Sequence, residues 1–477
     1  MPARSYAFIA SFVIASMFAG CATEQYQAKP LSAQTTFTQL NSRDPNSSDF
    51  QIYLTKQGFQ ADELPIKTWG LRELTQCGLF FNPRLDVVKS QLSLAKLSIN
   101  SANIKQNPSI SGNLAHSNQA NGDIRPWAYG LQVEIPIETT KKRAIRVEEA
   151  EHLAEAAQLD VAEAAWQLRQ EIAADLLQLH ENTSNIAQLT SELAIYRQIF
   201  DMLQKRVDSG LVSNTELQVN QLALQNIQFE LNKQSVKKNE LLAKLAADCG
   251  VSLEKFSQLK LKPFNLDATL KQQISAIKDL TATQLQESSL LNRIDIRRSL
   301  AKYAAAESKI KLEIAKQTPD LSISPGLAFE FGDSIWTLGI NALLNLSNKN
   351  QTMIAEAKQL REIEASQFEA LQAQIIGNTN QAKAQYTAAL QLMQMQEALY
   401  NEQRLMLEKQ QSQLNAGLID RLNLTQTNLS LQQAELQLKS AQFAVLQAAL
   451  RLEDVLQIPI EIESMQRKTK LSSELMQ

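Results

Sequence analysis

Apolar residues recur at spacings of three and four through most of this chain. From Val147 the series runs through Ala150, Ala154, Ala157, Val161, Ala164, Leu168, Ile172, Leu176 and Leu179 to Val207, the interval of helices packed side by side as in a coiled coil. Alanine dominates the first half of the series and leucine or larger residues the second. No Pro or Gly occurs between Ile137 and Ser209, and only Gly339 and Gly377 interrupt the run from Asp333 to Ala416. Inside a helix Gly costs ~1 and Pro ~3 kcal/mol, so stretches this free of both predict two very long helices, over 143–207 and 349–413. Each has about 65 residues and, at ~1.5 Å per residue, a length of about 98 Å. An element that long does not fit inside a compact globule of this mass, so an elongated molecule is expected.

Both predicted helices stop at the same kind of turn, Asp208-Ser209-Gly210-Leu211 and Asn415-Ala416-Gly417-Leu418. A shorter helix follows each turn, over 213–248 and 421–456, and another precedes each strand region, over 83–107 and 293–318. Asn82-Pro83-Arg84-Leu85-Asp86 and Asn292-Arg293-Ile294-Asp295 open the two copies, and Pro108 and Pro319 close these first helices. In each copy the two shorter helices together are nearly as long as the continuous one. Stacked end to end beside it, they form a wall of even height.

Between the helices the period changes from 3.6 to two. Trp127, Tyr129, Leu131, Val133, Ile135 and Ile137 alternate with Ala128, Gly130, Gln132 and Glu134, and Leu321, Ile323, Leu327, Phe329 and Phe331 alternate with Ser322, Ser324, Gly326, Ala328 and Glu330. Weaker partners are Ile110 and Leu114 among Ser109, Ser111 and Asn113, and Trp336, Leu338, Ile340, Leu344 and Leu346 among Thr337, Gly339, Asn341 and Asn345. The predicted strands, about 108–117, 126–137, 319–331 and 334–346, have one greasy and one small or polar face and the length of a tilted membrane strand. Hairpin connections fall at Asn118 to Arg125 and at Gly332-Asp333. A soluble hairpin resting on a core alternates in the same way.

Composition narrows the class. Apolar content of 44%, charge of 20% and few Gly or Pro describe a folded, mostly helical chain, and a net charge of −3 without basic clusters excludes nucleic acid as a partner. Arg4, an apolar stretch from Tyr6 to Phe18 and the small residues before Cys21 have the layout of a signal peptide over 1–20. Phe18-Ala19-Gly20-Cys21 resembles the bacterial lipobox, which implies lipidation of Cys21, and Ala22 in place of Asp fits sorting to the outer membrane. After the signal no apolar run is long enough for a membrane helix, so any crossing must use strands. Cys77 and Cys249 lie in or beside apolar helical segments, where buried free thiols are expected although the compartment permits a disulfide. His116, His152 and His180 are far apart and have no metal-ligand spacing. No phosphate loop, catalytic triad or carboxylate pair stands out from ordinary helical surface charge. No enzymatic activity, cofactor or metal is expected.

Four strands cannot close a barrel, and open edges cannot face lipid, so spanning a membrane requires more than one copy. Two copies give eight strands, a barrel filled by its own side chains, whereas three give twelve and leave room for water. The duplicated plan, the opening Asn82-Pro83, the segment Trp127-Ala128-Tyr129-Gly130-Leu131 leading to Ile135-Pro136-Ile137, and the paired Gly-Leu turns resemble the TolC-type outer membrane factors, from about Phe37 to Ile460. The lipobox points to their lipoprotein members. Leu79-Phe80-Phe81-Asn82-Pro83 and Ile135-Pro136-Ile137-Glu138-Thr139 resemble those serving heavy-metal exporters of the RND class.

The resemblance implies a mainly α fold with a transmembrane β part. A duplicated strand-strand-long-helix repeat forms, as a homotrimer, a 12-stranded β-barrel on a periplasmic α-helical barrel. The expected organisation is a signal peptide over 1–20, a lipid-anchored segment over 21–67, a first repeat over 68–249, an equatorial linker over 250–291, a second repeat over 292–457 and a tail over 458–477. The implied function is the exit duct of a tripartite efflux system, with a periplasmic adaptor, an inner-membrane RND-type or other pump and outer-membrane lipid as partners. An exit duct for type I protein secretion and a lipid-tethered periplasmic coiled-coil scaffold are the alternatives, and metal ions, organic compounds and proteins all remain open as cargo. By resemblance the turns form the adaptor-binding tip, with Arg206, Ser209, Gly210, Leu211, Val212 and Ser213 in the first and Leu414, Ala416, Gly417, Leu418 and Ile419 in the second. A helix stop alone explains the glycines but not the Leu after each. Some members ring a closed aperture with two acidic residues one helical turn apart. Aligning on Gly417 puts neutral Asn423 and Gln426 there, with Leu422 nearby, so a steric or hydrogen-bonded constriction is expected.

Overall fold

The computed structural model describes residues 24–118, 125–278, 293–330, 332–342 and 350–459. The chain divides into two units, Met1–Arg43 and Asp44–Gln477. In the first, helix α1 (Ala33–Asn41) is capped by Ser32 Oγ, which accepts from the Thr35 amide at 3.4 Å, and it buries no side chain. The signal peptide expected over 1–20, the lipidation candidate Cys21 and the residues from 460 onward lie outside the described residues.

The second unit opens with α2 (Ser48–Lys56), α3 (Leu71–Phe81) and α4 (Pro83–Ala102). Asn82 separates the last two, its side-chain oxygen accepting from the Arg84 amide while Pro83 fills the first helical position, where no N–H is needed. A hairpin of β1 (Ser109–His116) and β2 (Trp127–Ile137) follows, then the 67-residue α5 (Lys142–Asp208) and α6 (Asn214–Asp248). Short α7 (Leu253–Ser257) and α8 (Leu266–Lys278) lead to the second copy: α9 (Ile294–Ala315), β3 (Leu321–Glu330), β4 (Asp333–Ala342), the 65-residue α10 (Gln351–Asn415) and α11 (Arg421–Leu456). The long helices match the expected spans within two residues at each end. Two first helices stop early, α4 at Ala102 rather than 107 and α9 at Ala315 rather than 318. Pro108 and Pro319 push the residues before them out of the helical region, and Asn103, Asn107 and Thr318 are weak helix formers.

The four strands form one antiparallel sheet in the order β1-β2-β3-β4. Ser109 pairs with Glu134 in the first hairpin, Ile137 with Leu321 across the two copies, and Leu321 with Ala342 in the second hairpin. This register puts Tyr129, Leu131, Leu327 and Trp336 on one face and Gln132, Gly326 and Thr337 on the other. The apolar face is uncovered in the single chain, with Trp336 80%, Leu338 71% and Ile340 72% exposed. Phe331 and residues 343–349, including the predicted strand positions Leu344 and Leu346, lie outside the described residues. Among the described residues no helix is long and apolar enough to cross a membrane.

The sheet is fixed to the helices at the corner where β2 becomes α5. Buried Lys142 donates from Nζ to the Thr318 carbonyl at 2.6 Å and to Asp320 Oδ1 at 2.8 Å, and the Thr139 amide donates to the same carboxylate at 2.8 Å. At the matching corner Asn350 Nδ2 donates to the Glu313 carbonyl at 2.7 Å. Lys141 and Asn350, just before the two long helices, take left-handed conformations (φ 56 and 58), a sharp bend at the entry to each helix.

Three apolar clusters lie along the helices. The first joins Phe50, Leu54, Leu74, Ile172 and Leu245, so residues from Asp44 onward pack into the main unit. The second joins Leu270 and Ile277 of α8 to Phe443, Val445 and Leu452 of α11. The segment between the repeats thereby lies against both copies, and Trp69 exchanges main-chain hydrogen bonds with Lys260 and Lys262 at 2.9 Å each. The third cluster, Ile195, Ile199, Leu203, Leu217 and Leu422, closes the ends of the helices at the turns.

Candidate functional site

Each Gly-Leu turn ends a long helix by the same local chemistry. Gly210 and Gly417 have φ of +69 and +70, and a Cβ at either meets nothing within 4 Å, so backbone conformation alone calls for glycine there. The Leu211 amide donates to the Arg206 carbonyl at 2.8 Å and the Leu418 amide to the Gln413 carbonyl at 2.9 Å. These six-to-one bonds, with a left-handed glycine between, satisfy helix-end carbonyls as in a Schellman motif.

After each glycine the chain presents a large apolar side chain to solvent: Leu211 is 76% and Leu418 73% exposed. Ser209, Ser213 and Ala416 are exposed, Leu414 and Ile419 are half-buried, and Val212 turns back onto the apolar cluster. An uncovered leucine at both ends of one surface has no role in the fold of the single chain.

Arg206 joins the two turns. Its guanidinium donates to Asp420 Oδ2 at 2.7 Å, while Asp420 Oδ1 accepts from the Asn423 amide at 2.8 Å and caps α11. Arg206 first, and then the capping amide, hold the Asp420 carboxyl below the usual carboxylate range. Sequence reasoning singled out Arg206 and missed Asp420. The available signal was an acidic residue directly before a long helical run, the position of an N-cap.

Of the three aperture candidates, Asn423 and Gln426 are exposed and lie one turn apart on α11. Leu422 does not join them. It is 6% exposed and packs with Ile199, Leu203 and Leu217 in the cluster beneath the turns, because the apolar face of α11 turns towards α5. Within one chain Leu422 is therefore part of the apolar cluster beneath the turns, one residue before exposed Asn423.

Elsewhere Cys77 and Cys249 are buried free thiols, each donating to a main-chain carbonyl. His180 stacks on Phe264 at 4.4 Å, and burial pushes its pKa down to about 4. Among the described residues no group of three or more His, Cys, Asp or Glu is placed to hold a metal ion.

Residues 79–247 match the family model described as Outer membrane efflux protein. No curated protein matches the chain. Solved structures share its fold at low identity. The outer membrane protein VceC from Vibrio cholerae is 16% identical with a TM-score of 0.65, over 82% of this chain and 97% of its own. The outer-membrane channel OprN is 16% identical with a TM-score of 0.66, over 92% and 100%. CusC, in a structure concerned with transmembrane channel formation, is 14% identical with a TM-score of 0.66, over 91% and 99%. Residues 79–247 are thus similar to the outer membrane efflux proteins, and over most of its length the chain has the fold of these outer-membrane channels.

Proposed function

We propose that this chain is the outer-membrane exit duct of a tripartite efflux system, passively conducting what an inner-membrane pump and a periplasmic adaptor deliver. The observation that carries this reading is the four-stranded sheet: apolar on one face, small and polar on the other, open at β1 and β4, and fixed to helices about 100 Å long at ~1.5 Å per residue. Open edges are not tolerated in lipid. Edge pairing between three copies gives twelve strands around an aqueous lumen, while the duplicated helices close into a tube beneath it.

The turns then face the periplasm, where exposed Leu211 and Leu418 dock the adaptor around the Arg206–Asp420 pair. Asn423 and Gln426 form a neutral constriction just above. Lipidation of Cys21 anchors each copy to the same membrane. Cargo selectivity belongs to the pump, with metal ions preferred over organic compounds and proteins. The fold shared with outer-membrane channels such as OprN, and the family match over residues 79–247, support this reading over a lipid-tethered scaffold. Membrane fractionation tests it. Heat-modifiable, trimer-sized material in the outer membrane is expected, and release of monomer by mild detergent contradicts it.

A further inference from the structure

Where α4 begins beside the end of α6, three carboxylates meet two cations at a junction whose two aspartates are buried while Arg84, Lys244 and Glu171 reach solvent. Asp175 on α5 is 1% exposed and Asp248, the last residue of α6, is 8% exposed. Lys244 donates to Asp175 Oδ1 at 2.7 Å, and Arg84 reaches Glu171 Oε2 at 2.6 Å and Asp248 Oδ1 at 3.4 Å. The other oxygens, Asp175 Oδ2 and Asp248 Oδ2, are buried and accept no hydrogen bond, although the two carboxyls lie within hydrogen-bonding contact of one another. The groups facing this pair are Glu171 from α5, Arg84 from α4, Lys244 from α6 and the thiol of Cys249, with Cys77 of α3 behind it. Three negative charges against two positive leave one in excess, and a single proton removes it. Two buried carboxylates in contact repel, whereas a proton between them makes a strong O–H···O bond.

We propose that Asp175 and Asp248 form a proton-binding site that holds one proton between their two carboxyls, and that losing this proton loosens the joint between α4 and α6. The joint is built directly on Asp248. Its carbonyl accepts from Asn82 Nδ2 at 2.8 Å, and Gly250, two residues on, packs so closely that a Cβ there would lie 2.5 Å from the Phe81 carbonyl oxygen. Desolvation, then the neighbouring Asp175 and Glu171 carboxyls, push the Asp248 carboxyl up to about 7. A carboxyl whose pKa is raised on folding stabilises the fold fully below its unfolded value of 3.8, and that contribution is lost as pH rises through about 7. The matching joint of the second repeat provides an internal control. There Asp295 pairs with Arg293 at 2.6 Å and buried Glu453 with Arg169, so each carboxylate has its own arginine.

This site depends only on residues of one chain and survives failure of the efflux reading. The test is hydrogen exchange on the full-length protein in detergent micelles, corrected for the intrinsic pH dependence of exchange. The opening equilibrium around 78–86 and 244–251 should rise about tenfold per pH unit between about pH 5 and pH 7 and level off above, while the joint around 293–297 and 451–457 stays flat. Asp248→Asn, neutral at every pH, should abolish the slope. An unchanged first joint in the wild type, or the same slope in the variant, overturns the proposal. If the variant does not fold, infrared spectra of wild-type protein with carboxyl-labelled aspartate decide. A protonated-carboxyl band persisting to about pH 6 is expected, and its absence there overturns the site.

Discussion

Arg206 and Asp420, 214 positions apart, form a 2.7 Å ion pair that ties the first turn to the second. One end of the pair belongs to a helix C-terminus, where a cation is favoured, and the other caps a helix N-terminus, where an anion is favoured. Asp420→Asn separates these roles, because Asn caps as well as Asp but carries no charge. Arg206→Ala and Asp420→Asn should each cost no more than about 1 kcal/mol, with a coupling energy of ~0.2–1 kcal/mol in a double-mutant cycle that shrinks in high salt. Since the Asp420 carboxyl is held below the usual range, the pair is intact above its unfolded value of 3.8 and is lost as pH falls through the lower folded one. Thermal unfolding across pH and salt measures both effects.

The two exposed leucines should separate binding from stability. Leu211→Asp and Leu418→Asp bury nothing and break nothing, so unfolding should shift by less than about 0.5 kcal/mol. Cross-linking to the adaptor and efflux in cells should fall, more in the double variant than in either single one. Full adaptor cross-linking in the double variant would remove these residues from the docking surface.

Glycine substitutions should divide by the space around them. At Gly210 and Gly417 alanine meets no atom, so the cost is the left-handed backbone alone, about 1–2 kcal/mol. Gly250 has φ +70 as well, but its new Cβ would lie 2.5–2.8 Å from main-chain atoms of Phe81 and Asn82. Gly250→Ala should therefore cost clearly more than either tip variant, by several kcal/mol, as read from denaturant midpoints.

Neutral Asn423 and Gln426 predict a tip without a tight cation site. In planar bilayers, trivalent cations added from the periplasmic side at submillimolar concentration should not block conductance. The Asn423→Asp, Gln426→Asp double variant should acquire the block. Strong block of the unmodified protein would place an anionic ring elsewhere in the tube.

Most of the fold was legible because its signals are long. A run without breakers from Ile137 to Ser209 and strict alternation over Leu321 to Glu330 are difficult to produce any other way, and the helix ends fell within two residues where a glycine stopped them. Ends set by the approach to Pro108 and Pro319 were less legible, since proline restricts the residue before it without fixing where the helix stops. At the site, exposure of Leu211 and Leu418 followed from their position after a glycine stop. Burial of Leu422 and the partners of Arg206 and Asp248 did not. They depend on which helix lies alongside, and periodicity gives the face of a helix but not its neighbour.

Closure of one barrel by three copies through their open strand edges can be read by cross-linking those edges. In one chain β1 and β4 are separated by two strands, about 14 Å at ~4.8 Å per strand, too far for a disulfide. Single cysteines at Ser109, Ser111 or Asn113 of β1, combined in turn with cysteines at Thr337, Gly339 or Asn341 of β4, scan the register between copies. For at least one pairing, oxidation in outer membranes should give a covalent ladder that ends at three chains. A ladder ending at two, or no cross-link across the whole series, would contradict it.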